Sequence, residues 1–278
     1  MSWTDVAHKV LDIEYRGRGG STAHQILDAH IKAHIPTQPN LPEIAEKLFK
    51  KEGINVKTEA YMLRNLFNGE ANCWGLSLMY LVAAENVGLS LDPIRAPGHF
   101  FVRFRDINWE TTRNENFVFP DERYISVRKI HPKTIENGIY MTPMTEKQII
   151  AQAHANMAAD HLAYQEYDLA HKSADKALQQ DAKNPDAMAY RGFAALGNEE
   201  YLEALASFQS AHNIDPHHYD SWEGRLMVYE KIGPSSLVQP TREMVWDCML
   251  FGTLDKEPTP EEKAAAKKAL DDRLEHNK

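Results

Sequence analysis

HFFVRFRDINWETT, residues 99–112, alternates its side chains with a period of two. HFFVRFRD (99–106) does so as a strand does, and INWETT (107–112) does so again, with β-branched and aromatic residues throughout. Arg105-Asp106 is the expected turn between them, chemically weak because it lacks the usual glycine. Upstream the period changes to that of helices, expected at about 23–34, 42–51 and 57–68, with three prolines at 36–42 breaking the series. A further helix begins at Cys73 and runs to about Asn86, where Gly88 supplies the residue able to take positive φ. Residues 113–142 are irregular, with a short helix near 124–130. Helices grouped before antiparallel strands make an α+β pattern.

From Thr145 onward the chain is helical, with Ala-rich faces. Tyr167, Ala170 and Ala177 recur as Tyr201, Ala204 and Ala211, 34 residues on, and Ala158 aligns with Gly192 at the same offset. Small residues at helix crossings permit close approach, and the tyrosine fills the gap beside them. The 34-residue unit resembles the tetratricopeptide repeat. Trp222 opens a third, incomplete unit, and helices at 241–251 and from Thr259 would cap the stack. The expected division is 1–143, a mixed domain, and 144–278, an all-α repeat module.

The chain of 278 residues is 43% hydrophobic and 26% charged, which is globular, and its net charge of −9 argues against nucleic acid or an anionic membrane as partner. Two cysteines, Cys73 and Cys248, do not make a secreted disulfide scaffold. The N-terminal residues lack the uninterrupted apolar stretch of a signal peptide, so a cytoplasmic location is expected.

Three side chains in the mixed domain carry the chemistry. Cys73 opens a strongly apolar helix, where free amides and the positive helix end favour a thiolate. Leu76, Met79, Tyr80 and Ala83 would anchor that helix. His99 follows Pro97-Gly98 and opens the strand, so its ring can emerge at a sheet end. With a tight turn at Arg105-Asp106, residues 99, 101 and 103 share a face with 108, 110 and 112. Phe101 then pairs with Glu110 and puts Glu110 diagonally beside His99. Nucleophile, base and orienting carboxylate in that order serve cysteine acyl transfer. A register slip of one residue would turn Glu110 away.

The runs Asn72-Cys73-Trp74-Gly75-Leu76-Ser77-Leu78, Pro97-Gly98-His99-Phe100-Phe101-Val102-Arg103-Phe104 and Ile107-Asn108-Trp109-Glu110-Thr111-Thr112 resemble the transglutaminase-like (papain-like) superfamily. They are closest to its SirB1-type branch, which also carries tetratricopeptide-like repeats after the core. The resemblance implies Cys73 as nucleophile, His99 as general base and Glu110 as the residue that orients His99. Glu110 stands where many transglutaminases carry Asp. It implies a transglutaminase, deamidase or protease-like reaction, with the Cys73 N–H and a side chain such as Asn72 holding the oxyanion. No cofactor or metal is implied, and the repeats would bind a protein or peptide partner. The competing expectation is a non-catalytic scaffold whose repeats bind peptide.

Other signals carry less. His30 and His34, with His24 upstream, are half a metal site without a completing carboxylate and read as surface or capping residues. His217-His218 sits between repeats and is expected to face solvent. Cys248 lies in an apolar helix and reads as core. Arg16-Gly-Arg-Gly-Gly lacks the strand-before, helix-after setting of a phosphate loop.

Overall fold

The computed structural model describes residues 2–15, 20–34, 55–56, 70–112 and 118–248. Helix α1 (Trp3–Glu14) opens with a capping box, Ser2 and Asp5 exchanging side-chain and backbone bonds. Helix α2 (Gly20–His34) follows. It starts three residues before the expected 23, while Arg16–Gly19, and the side chains of His30 and His34, lie outside the described residues. So do the helices expected at 42–51 and 57–68 and from Thr259. A short parallel pair, β1 (Asn55–Val56) with β2 (Glu70–Ala71), leads into α3 (Cys73–Asn86).

Helix α3 sits at the middle of the N-terminal core. Residues from Trp74 through Ala84 are all buried, so it is covered on every face rather than anchored on one. Both ends are defined by side-chain and backbone capping. Asn72 Oδ1 accepts from the Trp74 and Gly75 amides at the start. At the finish Leu89 N bonds Ala84 O and Gly88 N bonds Glu85 O, with Gly88 at φ 76°, a Schellman ending. Glu85 in turn accepts the free Trp3 and Thr4 amides of α1, locking the two helices together.

Three antiparallel strands follow in the order β3 (Asp92–Ala96), β4 (His99–Phe104), β5 (Ile107–Trp109). Phe104 pairs with Ile107 and Arg103 with Asn108, the register expected for a tight Arg105-Asp106 turn. Arg105 takes φ 58°, doing glycine's work in the turn. Strand β3 was not expected from the sequence, because Pro93 argues against a strand; as an edge strand β3 tolerates it. Phe100, Val102 and Trp109 join the core of α1–α3. Ile94, Ala96 and Phe101 join a second cluster with Tyr124, Ile130 and Tyr140. The sheet is therefore buried on both sides.

Between β3 and β4, Ala96 faces His99 across Pro97-Gly98, and Gly98 adopts φ 58°. A Gly98→Ala change puts a Cβ into the left-handed region, at a cost of about 1–2 kcal/mol. The melting temperature is expected to drop by a few degrees in a thermal scan, with His99 displaced from its place at the strand start.

The next helices are α4 (Asp121–Val127) and α5 (Pro132–Glu136). Helix α4 begins three residues earlier than 124, because Pro120 occupies the N-cap and Asp121 and Glu122 fill the first turn, a start signal within 120–122. Then come α6 (Glu146–Ala163), α7 (Tyr167–Gln180), α8 (Pro185–Gly197), α9 (Tyr201–Ile214), α10 (Tyr219–Ile232) and α11 (Ser235–Cys248). Helices α7 and α9 begin and end 34 residues apart, and α8 and α10 begin 34 apart. The turns repeat too: Gln165 and Glu199 take φ 59° and 62°. Phe208 is wedged where Gly192 and Gly224 leave no room for a Cβ, 2.7 and 2.1 Å from its ring. The alternation of glycine and aromatic ring is thus the packing rule of the repeat.

Two further differences concern this half. Helix α11 begins at Ser235, ahead of the expected 241, and Pro240 lies inside it. The N-terminal half of α6 places Ile149 and Ala153 in the same core as α1 and α3, so packing runs across residue 143. Among the described residues no helix is long and apolar enough to cross a membrane.

Candidate active site

Cys73 is the first residue of α3, and His99 is the first of β4. Both therefore stand at the starts of their elements, the thiol at a capped helix N-terminus and the imidazole at a strand end. The Cys73 thiol packs against the core that holds Phe100, close enough to His99 for each to act on the other's ionisation. The other side of the ring is held by Glu110: His99 Nε2 lies 2.7 Å from Glu110 Oε2. With Nε2 committed, Nδ1 is the nitrogen left for the thiol. The structure thus hydrogen-bonds His99 to Glu110 and brings Cys73 within electrostatic reach of both.

Glu110 is 1% exposed, and its carboxylate is well supplied with donors. Oε1 accepts from the Thr112 amide at 3.1 Å and its hydroxyl at 2.6 Å. Oε2 accepts from the Tyr124 hydroxyl at 3.4 Å as well as from His99. Thr112 and Tyr124 were not read from the sequence. Thr112 carried a findable signal, since a residue two places after a strand carboxylate reaches back to it. Tyr124 had none, because its approach depends on how α4 packs against the sheet. Ser77 Oγ and Thr111 Oγ1, 3.1 Å apart, pin α3 to the end of β5.

These contacts set the charges. Burial opposes ionisation of Cys73, yet the His99 hydrogen bond and charge prevail and hold the thiol below its ordinary range. Burial also opposes a charged His99, but Glu110 and the thiol more than offset it and raise the imidazole to about 9. Burial would raise Glu110, and the His99 charge and the donors at both oxygens bring it down instead. Both directions favour a thiolate–imidazolium pair beside a fixed carboxylate. Cys248 is the opposite case: it is 2% exposed, and burial pushes it up to about 12.

Asn72 uses its Oδ1 to cap α3, which leaves its Nδ2 donors outside the cap. The Cys73 amide, at the first helical position, has no intrahelical acceptor and faces the sulfur's own end of the helix. One expectation changes: His218, expected in solvent, is 6% exposed and serves as N-cap of α10, with Nε2 3.0 Å from Asp186. Its neighbour His217 is exposed and bonds the Lys129 carbonyl. Among the described residues no group of His, Cys, Asp and Glu is arranged to hold a metal ion.

No family model matches the chain. Sequence comparison finds similarity to Protein bimA of Emericella nidulans, 27% identical over 193 residues that cover 59% of this chain. The chain spans only 24% of that protein's length.

Proposed function

We propose that the chain is a cysteine-dependent acyl-transfer enzyme of the transglutaminase-like, SirB1-related kind, with Cys73 as nucleophile, His99 as base and acid, and Glu110 as its orienting partner. The observation that carries this reading is the buried His99–Glu110 hydrogen bond, with Cys73 at a helix N-terminus close enough for the imidazole to lower its thiol. Buried ionisable groups with opposed shifts at one place are a mark of acid–base function.

In the step this geometry supports, the Cys73 thiolate attacks a carboxamide carbon and a C–S bond forms. The carbonyl oxygen gains the negative charge, close to the free Cys73 amide. His99 gives its Nδ1 proton to the leaving nitrogen as the C–N bond breaks, leaving a thioester and neutral imidazole. Water or an amine then attacks the thioester, passes a proton to His99, and releases the thiolate. Glu110 stays ionised throughout and holds the imidazolium.

The helical units support a second component, a protein or peptide partner. A groove of about 220 Å³ is lined by Leu178, Met188, Arg191, Glu203, Ser207 and Ser210 among others. Arg191 and His171 both bond Glu203 at its rim, a polar edge over an apolar floor. This division of labour, chemistry at the sheet end and recognition along the helices, is the reading we adopt.

Brief exposure to iodoacetamide at pH 7, followed by peptide mass analysis, tests the thiol. Cys73 is expected to be labelled at least a hundredfold faster than Cys248, and faster than a free model thiol. Labelling of Cys73 no faster than the model thiol would leave a scaffold without chemistry.

A further inference from the structure

The side chain the triad does not use is Arg128. It follows α4 as the C-cap residue and lies four positions after Tyr124, one helical turn along the same face. That face is the one turned to the site: the Tyr124 hydroxyl reaches Glu110, and its ring centroid lies 6.2 Å from that of His99. Arg128 Nε is buried and has no hydrogen-bond partner among the described residues. A buried guanidinium N–H without an acceptor is costly and calls for one.

Glu110 is not that acceptor, because its two oxygens already take bonds from His99, Thr112 and Tyr124. Asp121, which lies seven positions before Arg128 on the same short helix, is taken by Arg103 at 2.7 Å. Burial works against the Arg128 charge, and the negative charges of Cys73 and Glu110 act to keep it. The guanidinium of half-buried Arg128 thus lies within reach of the Cys73 and Glu110 charges with its Nε unbonded. The whole chain carries −9, so an anion is welcomed here only by a local positive group.

We propose that Arg128 selects acyl donors that carry a carboxylate close to the reacting carbonyl, the carboxylate docking on the guanidinium of this half-buried side chain. A planar fork binds a carboxylate through two parallel bonds, which fixes both distance and orientation. The carbonyl is then presented to Cys73 at a set separation, which is what positioning contributes to acyl transfer. The substrate class is therefore an amide or peptide whose acyl part ends in, or bears next to it, a free carboxylate. This rests on Cys73 being the nucleophile.

Two reagents of near-identical size separate the two ideas. Iodoacetamide and iodoacetate both alkylate a thiolate with loss of iodide, but only the second carries a carboxylate. In the unsubstituted protein the iodoacetate rate at Cys73 should match or exceed the iodoacetamide rate, and glutarate should slow both saturably. Arg128→Gln should lower the ratio of iodoacetate to iodoacetamide rates at least tenfold. Arg128→Lys, which keeps the charge and loses the fork, should fall between. A residue that only helps ionise the thiol would slow both reagents alike, so an unchanged ratio in Arg128→Gln overturns the proposal. If iodoacetamide itself reacts at Cys73 no faster than with a model thiol, the nucleophile reading fails and this one with it. Fast iodoacetamide labelling with an unaltered ratio sinks the carboxylate site alone.

Discussion

Replacing His99 with alanine is expected to slow iodoacetamide labelling of Cys73 about a hundredfold at pH 6.5. A free thiol with a pKa near 8.5 is about one-hundredth ionised two units below it. In this protein the imidazolium and its hydrogen bond hold the thiol below its ordinary range despite burial. Without the ring, burial alone remains, and burial favours the neutral thiol. The labelling profile of the unsubstituted protein should therefore rise well below pH 8.5, and that of His99→Ala at or above it. The sign for His99 itself runs the other way. Its folded value is raised to about 9, so the stability it contributes is full below about 6.5 and is lost as pH rises through 9. A profile that keeps its midpoint in His99→Ala would show that the ring is a neighbour of the sulfur and nothing more.

The second large effect is structural. Arg95 on β3 is 1% exposed, and only its Nε has a hydrogen bond, to the Ile139 carbonyl at 3.3 Å. Its guanidinium lies 5.7 Å from the Tyr140 ring centroid and 3.7 Å from Asp181, without a hydrogen bond from either terminal nitrogen. Around it stand Asp186, bonded by His218, and Asp215, bonded by the Tyr140 hydroxyl at 3.1 Å. The sheet thus inserts one cation among carboxylates at the ends of the repeat helices. Arg95→Ala leaves those charges buried and uncompensated, and is expected to cost about 3–5 kcal/mol in urea unfolding at pH 7. Asp186 is raised by burial and lowered more by His218 and by Arg95, so its share is present at neutral pH. That share is lost as pH falls through its folded value. The difference between Arg95→Ala and the parent should therefore shrink in acid. An equal loss at pH 7 and pH 3.5 would mean that packing, not charge, is what Arg95 supplies.

The site was legible in the sequence where chemistry and local geometry coincide. A cysteine after an N-cap asparagine, a histidine after Pro-Gly and a two-residue turn fix their neighbours within a few positions. From these the register that sets Glu110 beside His99 follows by counting. Tyr124 and Arg128 were invisible, because their approach depends on where α4 packs against the sheet rather than on any local pattern. Arg95 was invisible for a related reason: Pro93 hides the strand that bears it, and its carboxylates lie more than 80 positions on. The repeat was legible because a fixed spacing of small and aromatic residues survives any detail of the turns. His218 misled, since a polar pair in a turn looks solvated until a neighbouring helix closes over it.

Helix α6 belongs to two neighbourhoods. Its first turns bury Ile149 and Ala153 against α1 and α3, while Ala155 further along packs with Ala177 and Ala187. A rod seated in both cores cannot act as a hinge, so bending near residue 143 would tear apolar contacts from one side or the other. Any load taken by the repeat helices passes along this rod toward the helix whose tip carries the sulfur.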